Sequence, residues 1–136
     1  MSETTPIQNN PHRNKFQVLI AEDDISISNL LRMQLELAGY KVVVANSGNS
    51  AVELTLQNKP NFIIMDISMP ELNGFEVIDK LKTSGFDTNS FKLVFLSNSS
   101  TPGDIEKSHD YGAEYKIKAE LSPKELIGFI DSKLID

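Results

Sequence analysis

Short apolar runs alternate along this chain with segments in which apolar residues recur every three or four positions. An unbroken apolar run of four to six residues is typical of a strand buried on both faces, and the longer period is typical of a helix. The predicted strands cover residues 16–21, 42–45, 62–66, 93–97 and 115–118. Strands and helices that alternate in this way predict a parallel sheet with right-handed crossovers and helices on both faces.

Residues that start or stop helices mark the boundaries of the five helical segments. Gly39 ends the first helix, Asn73 and Gly74 form a turn before the third, and Ser122 caps the last. The fourth helix, at about residues 102–110, carries little apolar surface and is expected to be the least stable. The apolar stripe predicted for the first helix consists of Ile27, Leu30, Leu31, Gln34, Leu35 and Ala38.

Length and charge narrow the class of protein. The 136 residues fit one domain, predicted to span residues 15–136 after a flexible polar tail at residues 1–14. A net charge of −6 argues against direct binding to nucleic acid or to an anionic membrane. The chain has no cysteine, no signal-peptide pattern and no apolar stretch that could span a bilayer, so a cytoplasmic location is expected.

Polar residues end four of the predicted strands. Glu22 and Asp23 follow the first strand, Asp66 ends the third, Ser97 the fourth and Lys118 the fifth. The carboxyl ends of parallel strands meet at one edge of the sheet, which is where ligands bind in open α/β folds. We therefore expect these side chains to lie together, although an isolated Asp66 would more often simply start a turn.

Carboxylates that converge at one edge predict a hard divalent cation, and magnesium suits such oxygen donors. A carboxylate beside that cation can act as a nucleophile and accept a phosphoryl group. Lys118 and the hydroxyl of Ser97 would then stabilise the charge of the phosphoryl oxygens. Asp24, next to the acidic pair, is better explained as the N-cap of the first helix.

In these residues and their order, the chain resembles the receiver domains of two-component response regulators, over about residues 15–136. The resemblance rests on an ordered set of segments rather than on any one motif. Those segments are residues 19–24, 64–70 and 73–77, Ser97, Gly112 with Ala113, and residues 115–118. The resemblance implies a flavodoxin-like, doubly wound α/β fold, with five parallel strands in the order 2-1-3-4-5 and five helices.

The resemblance also implies a role for each site residue. Asp66 would be the phosphoacceptor, and Lys118, Ser97 and Tyr115 would form the phosphoryl-binding and switch set. Magnesium would be held by Glu22 through a water, by Asp23 and Asp66, and by the backbone carbonyl of Ser68. Lys118 is preferred to Lys116 because the family places an aromatic residue three positions before its lysine. The residues expected to control access and kinetics are Ser68, Asn98 and Ser99.

The function implied is a phosphorelay switch in signal transduction rather than a conventional enzyme. A sensor histidine kinase or a histidine phosphotransfer protein would supply the phosphoryl group. The surface of the fourth helix, fifth strand and fifth helix would then change and be recognised by a downstream protein. The chain is expected to be a monomer or a phosphorylation-dependent dimer, and to catalyse only its own phosphorylation and dephosphorylation.

Three alternatives remain open on the sequence. An aspartate-dependent phosphatase would need a second acid two residues after Asp66, where this chain has Ser68. A flavodoxin-like cofactor module would need a phosphate-binding loop after the first strand, where this chain has three acids. A pseudo-receiver would keep the fold as an interaction module without phosphorylation. Asn98, where the family usually has a small residue, keeps that last alternative open.

Overall fold

The computed structural model describes residues 7–98 and 101–135, which form one five-stranded parallel sheet. The strand order is β2-β1-β3-β4-β5, so the predicted flavodoxin-like topology is confirmed. β3 is the central strand and is buried along its whole length. The strands are β1 (Gln17–Ala21), β2 (Lys41–Ala45), β3 (Phe62–Asp66), β4 (Lys92–Ser97) and β5 (Glu114–Ile117).

Five α-helices cover the two faces of the sheet. They are α1 (Ile25–Ala38), α2 (Gly48–Asn58), α3 (Gly74–Thr83), α4 (Pro102–Asp110) and α5 (Pro123–Leu134). Successive strand residues point to opposite faces, and the core is accordingly divided into two clusters. One cluster joins the sheet to α2 and α3, and the other joins it to α1 and α5. Within the described residues, no helix is long and apolar enough to cross a membrane.

Side-chain caps fix the starts of the helices that leave the carboxyl edge of the sheet. Asp24 accepts a hydrogen bond from the Ile27 amide, which confirms its predicted role as the N-cap of α1. Asn73 and Ser122 each form a complete capping box, at α3 and α5 respectively. The loops that lead into α1, α3 and α5 are therefore each held by the start of the following helix.

Two local predictions differ from the structure. In the stripe predicted for α1, Leu35 and Ala38 are buried, but Ile27 and Leu30 remain 36% and 54% exposed, because the helix turns Ser28 toward the sheet in the first turns. The fifth strand begins at Glu114 and ends at Ile117, so Lys118 starts a short 3-10 turn beyond it. Both differences affect the surroundings of the site.

The N-terminal residues that the structure describes lie against the domain rather than extending from it as the expected polar tail. Residues Pro11–Lys15 form a 3-10 turn, and Arg13 within it is only 9% exposed. The physical reason is that this guanidinium donates to the Asp131 carboxylate on α5 and to two backbone carbonyls, those of Gln8 and of Ala38 at the end of α1. Residues 1–6 lie outside the described part of the chain.

Candidate functional site

The carboxyl edge of the sheet brings Glu22, Asp66 and Lys118 into direct contact. Glu22 follows β1, Asp66 ends the neighbouring β3, and Lys118 follows β5. The Lys118 Nζ lies 2.6 Å from Glu22 Oε1 and 3.3 Å from Asp66 Oδ2. The predicted convergence of these strand ends is therefore present, and a single ammonium group lies against two carboxylates.

Both of those carboxylates are buried, which makes the charge balance unfavourable. Glu22 is 2% exposed and Asp66 is 5% exposed. Burial, and then the neighbouring charge of Glu22, raise the pKa of Asp66 to about 7, although Lys118 opposes the shift. One positive charge does not compensate two buried negative ones, so the site has an excess of negative charge available for a cation.

The contacts with Glu22 and Asp66 also stabilise the charged form of Lys118. Burial lowers the pKa of Lys118, but the hydrogen bond to Glu22 and the charge of Asp66 outweigh burial, so the pKa is raised overall. Lys116, the alternative considered from the sequence, lies elsewhere. Its ammonium is 3.8 Å from Glu114 Oε1 and sits over the Phe129 ring, 5.0 Å from the ring centroid. Lys118 is therefore the lysine that the fold delivers to Asp66.

The donor atoms present fit a hard divalent cation. One carboxylate oxygen from each of Glu22, Asp23 and Asp66 lies within 4.8 Å of the others. Asp23 is exposed and so presents its carboxylate from the solvent side, whereas the other two approach from within the domain. Such an all-oxygen set, open to water, is what magnesium requires. The Ser68 amide donates to Asp66 Oδ1 at 3.2 Å, and coordination by the Ser68 carbonyl stays a prediction.

Two further residues at this edge, Gly74 and Asn46, have structural roles that only the three-dimensional structure reveals. Gly74, which the sequence marked as a turn, allows close backbone approach, since a Cβ there would lie 2.7 Å from the Asp66 carbonyl oxygen. Asn46 donates from Nδ2 to the Glu22 carbonyl at 2.7 Å and to Ser28 Oγ at 3.2 Å. Asn46 thus fixes the acidic loop, and no local pattern in the sequence indicates that contact.

The loop between β3 and α3 contains a strained backbone position at Glu71. Its φ of 75° lies in the region that disfavours residues with a Cβ, and the Leu72 amide donates to the Pro70 carbonyl at 2.9 Å. A positive φ with an i to i+2 hydrogen bond is characteristic of a γ-turn. The Pro70 carbonyl also accepts from the Gly48 amide at 3.2 Å, which connects this loop to the start of α2.

The predicted switch residues lie on adjacent strands next to these charges. Ser97 ends β4 and pairs in register with Ile117, one residue before Lys118. Tyr115 pairs with Phe95 two register steps back from the edge, and both Ser97 and Tyr115 are partly buried. Asn98 is exposed at the start of the following loop, and Ser99 lies outside the described residues.

An apolar groove of about 380 Å³ opens beside Lys118. One wall is formed by α1, with Ile27, Leu30, Leu31 and Gln34. The other is formed by Leu121 before α5 and by the start of α5 as far as Leu126. Lys118 borders both this groove and the charged site, and Asn98 lines the groove. The two α1 residues that the sequence placed in the core are therefore groove residues.

Comparison with known families identifies the class to which this arrangement belongs. The model of the response regulator receiver domain family matches residues 18–131. That span is most of the chain and includes Glu22, Asp23, Asp66, Ser97 and Lys118. The chain therefore belongs to the response regulator receiver domain family of two-component signal transduction, as the sequence predicted.

Individual relatives agree with this assignment. A probable transcriptional regulator, ycf27, of Cyanophora paradoxa is 31% identical over 121 residues, covering 89% of this chain and 49% of the relative. The response regulator SaeR of Staphylococcus aureus (strain USA300) is 30% identical over 117 residues, which is 86% of this chain and 50% of SaeR. The chain thus spans about half the length of these curated relatives.

Solved structures show the same fold. The chemotaxis protein CheY4 of Vibrio cholerae superposes with a TM-score of 0.77 at 26% identity, covering 88% of this chain and 98% of CheY4. A CheY-like receiver domain protein from Methanospirillum hungatei gives a TM-score of 0.79 at 24% identity, covering 88% of this chain and 93% of that one. The second likeness concerns the fold alone.

Proposed function

We propose that this chain is a phospho-aspartate signalling switch in which Asp66 is the phosphoacceptor. The observation that carries the proposal is the placement of a buried Asp66 carboxylate 3.3 Å from Lys118, at an edge where two further acids converge. The donor would be a phosphohistidine on a sensor histidine kinase or a phosphotransfer protein. The proposal goes beyond membership of the family, because it names the phosphoacceptor and the residues that assist phosphoryl transfer.

In the transfer step, an Asp66 oxygen attacks phosphorus while the bond from phosphorus to the donor imidazole nitrogen breaks. The electron pair of that bond stays on the imidazole, and an acyl phosphate forms on Asp66. Asp66 must be ionised to attack, and its contact with Lys118 favours that form. The chain promotes only this reaction and the later hydrolysis of the product, so it is not a conventional enzyme.

Asp23, Asp66 and the Ser68 carbonyl would hold magnesium, with Glu22 acting through a water. When bound, the metal supplies positive charge beside the phosphoryl oxygens. Glu22 has a second role in this structure, because its Oε1 holds the Lys118 ammonium at 2.6 Å. That contact orients Lys118 toward the position that a phosphoryl group on Asp66 would occupy, where the ammonium stabilises its charge.

Phosphorylation would be transmitted through Ser97 and Tyr115. The Ser97 hydroxyl would move toward the phosphoryl group, and Tyr115 would rotate into the space that Ser97 leaves. Both residues lie on strands that border α4 and α5, so the changed surface would be that of α4, β5 and α5. A downstream protein would bind this surface, or a second copy of the chain would, with no direct contact to nucleic acid. The expected location is cytoplasmic.

Labelling with acetyl phosphate and magnesium tests the proposal. Intact-mass spectrometry of the wild type is expected to show a single phosphate adduct that disappears in Asp66→Asn and in excess EDTA. Asp24→Asn is a matched control, since asparagine also caps helices and Asp24 lies outside the proposed acceptor site. An adduct that persists in Asp66→Asn would contradict the proposed acceptor. Absence of any adduct in the wild type would favour a pseudo-receiver that acts as an interaction module.

A further inference from the structure

A second buried charged cluster lies at the opposite, amino edge of the sheet, where Arg13 is its centre. Its Nε and Nη2 donate to the two carboxylate oxygens of Asp131 on α5, at 3.0 and 2.7 Å. Its Nη1 donates to the carbonyls of Gln8 and Ala38, at 2.7 and 2.9 Å. Tyr40, just before β2, donates its hydroxyl proton to the same Asp131 carboxylate. Gln8 and Arg13 precede the span that matches the family model, whereas their partners on α1 and α5 and before β2 lie within it.

The same N-terminal segment caps the end of α1. The Ala38 carbonyl, in the last turn of α1, accepts from the Asn10 amide at 3.0 Å as well as from Arg13. Gly39 ends the helix with a φ of 115°, and a Cβ at this position would lie 2.8 Å from the Asn10 carbonyl oxygen. The segment therefore packs against α1 at a distance that only glycine allows, and its cation lies where helix carbonyls attract positive charge.

On its other side the segment lies along α5. Ile7 is partly buried against the core cluster that contains Ile127 and Ile130. A small cavity of about 260 Å³ lies beside this contact and is lined by residues 7, 8 and 13 of the segment and by Lys124, Gly128 and Asp131 of α5. The N-terminal segment thus contacts both α1 and α5 on this face of the sheet. Its main contact with α5 is the bidentate, charge-assisted pair of hydrogen bonds from Arg13 to Asp131.

We propose that residues 7–15 form an N-terminal clasp that ties the end of α1 to α5 and sets the spacing between these helices. A buried ion pair contributes less to net stability than its contacts suggest, but it can specify one arrangement over others. The arrangement specified here includes the apolar groove beside Lys118, because α1 and the start of α5 form its two walls. The clasp therefore acts on the shape of the groove from the far edge of the sheet.

Distance measurements between spin labels can test the clasp directly, because the chain contains no native cysteine. One pair of introduced cysteines, at Gln8 and Ser132, reports the position of the segment relative to α5. A second pair, at Met33 and Ser132, reports the spacing of α1 and α5. All three positions are exposed, so labels there leave the core intact. The measurement is made on the unphosphorylated protein, so its result does not depend on whether Asp66 can be phosphorylated.

Arg13→Ala is expected to broaden and lengthen the distance distributions of both pairs. Arg32→Ala, which removes an exposed arginine from a surface ion pair with Glu36, is the matched control and should change neither. If only the Gln8 pair changes, the segment is released without altering the helices and the proposed control of spacing is wrong. If neither pair changes, there is no clasp. Should Arg13→Ala fail to fold, Arg13→Lys keeps the charge, loses the bidentate contact and is expected to broaden both distributions to a smaller extent.

Discussion

Two buried charged clusters lie at opposite edges of the same sheet, and they differ in how completely their charges are paired. At the amino edge, one guanidinium meets one carboxylate through two hydrogen bonds, and it donates two further hydrogen bonds to backbone carbonyls. At the carboxyl edge, one ammonium group is shared between the carboxylates of Glu22 and Asp66, with Asp23 nearby. The first cluster is balanced, and the second carries excess negative charge.

The difference shows what each cluster is suited to do. A balanced buried pair needs nothing further and can hold elements of the fold in place. An unbalanced cluster is destabilised by the repulsion between its buried carboxylates, and a bound cation relieves that repulsion. The pKa of such a carboxylate depends strongly on the charges next to it. The two clusters therefore divide into a structural one and a reactive one. The pKa of Asp66, raised to about 7, and that of Asp131, which is lowered, express this contrast.

The largest expected effect comes from breaking the balanced cluster. Arg13→Ala should lower the free energy of unfolding by about 3 kcal/mol, because a carboxylate and two carbonyls lose a charged donor. Urea unfolding measures this change. Arg32→Ala removes an ion pair whose side chains are 39% and 46% exposed, and should cost no more than about 0.5 kcal/mol. Equal effects of the two substitutions would contradict the distinction between buried and surface pairs.

The next effect has the opposite sign and concerns the unbalanced cluster. Asp66→Asn should raise the free energy of unfolding by about 2 kcal/mol at pH 8 in EDTA, because it removes one of two buried negative charges. A carboxyl whose pKa is raised on folding binds its proton more tightly when folded. The wild type therefore loses stability as pH rises from about 4 to about 7, and stays level above that.

The gain from Asp66→Asn should accordingly shrink toward zero as pH falls below about 4, where Asp66 becomes protonated in the unfolded state as well as in the folded one. Urea unfolding across this pH range, with Asp24→Asn as the control, measures the trend. A variant that is less stable than the wild type at pH 8 would show that Lys118 already compensates both carboxylates.

A third prediction concerns the pH dependence of the balanced cluster. Burial raises the pKa of Asp131, but the bonds from Arg13 and Tyr40 outweigh burial, so the pKa is lowered overall. Stability from this pair is therefore complete above the ordinary carboxyl range, and is lost as pH falls through the lowered value. The stability advantage of the wild type over Asp131→Asn should be constant from pH 5 to 7 and should decrease below pH 4. A constant difference down to pH 3 would contradict the assignment.

The smallest effect concerns access to the unbalanced cluster. Asn98 is exposed and borders the groove beside Lys118, where a smaller side chain would leave a wider path to Asp66. Asn98→Ala should increase the rate of labelling by acetyl phosphate about threefold, a change of less than one kcal/mol in the barrier. Asn89→Ala, at an exposed position in the loop before β4, is the control. Equal labelling rates for Asn98→Ala and the wild type would mean that Asn98 does not limit access.

The sequence was sufficient for features that depend on local signals or on strand order. Asp66 at the end of an apolar strand, the caps Asp24 and Ser122, and the convergence of Lys118 with Asp66 all follow from such signals. The hydrogen bond between Lys118 and Glu22 was not predicted, because the sequence indicated only that Lys118 would face a phosphoryl group on Asp66. Prediction succeeded where topology dictates proximity.

Features that depend on side-chain packing between distant segments were missed. Arg13 was placed in a polar tail because its partner, Asp131, lies 118 positions away in the chain. Ile27 and Leu30 were placed in the core because periodicity gives an apolar stripe but not its rotation relative to a neighbouring helix. The aromatic contacts of Tyr111 with Phe75 and Phe95 were likewise not predicted.

Gly74 places a limit on which substitutions this protein tolerates. A methyl group at that position would lie 2.7 Å from the Asp66 carbonyl oxygen and 2.9 Å from the Met65 side chain, so even alanine would displace the end of β3 from the start of α3. At Gly128, in the middle of α5, an added Cβ meets nothing within 4 Å. In a library of random variants, position 128 should therefore accept many residues and position 74 almost none. The selection on position 74 would act through the geometry of Asp66, without the glycine taking any part in the chemistry.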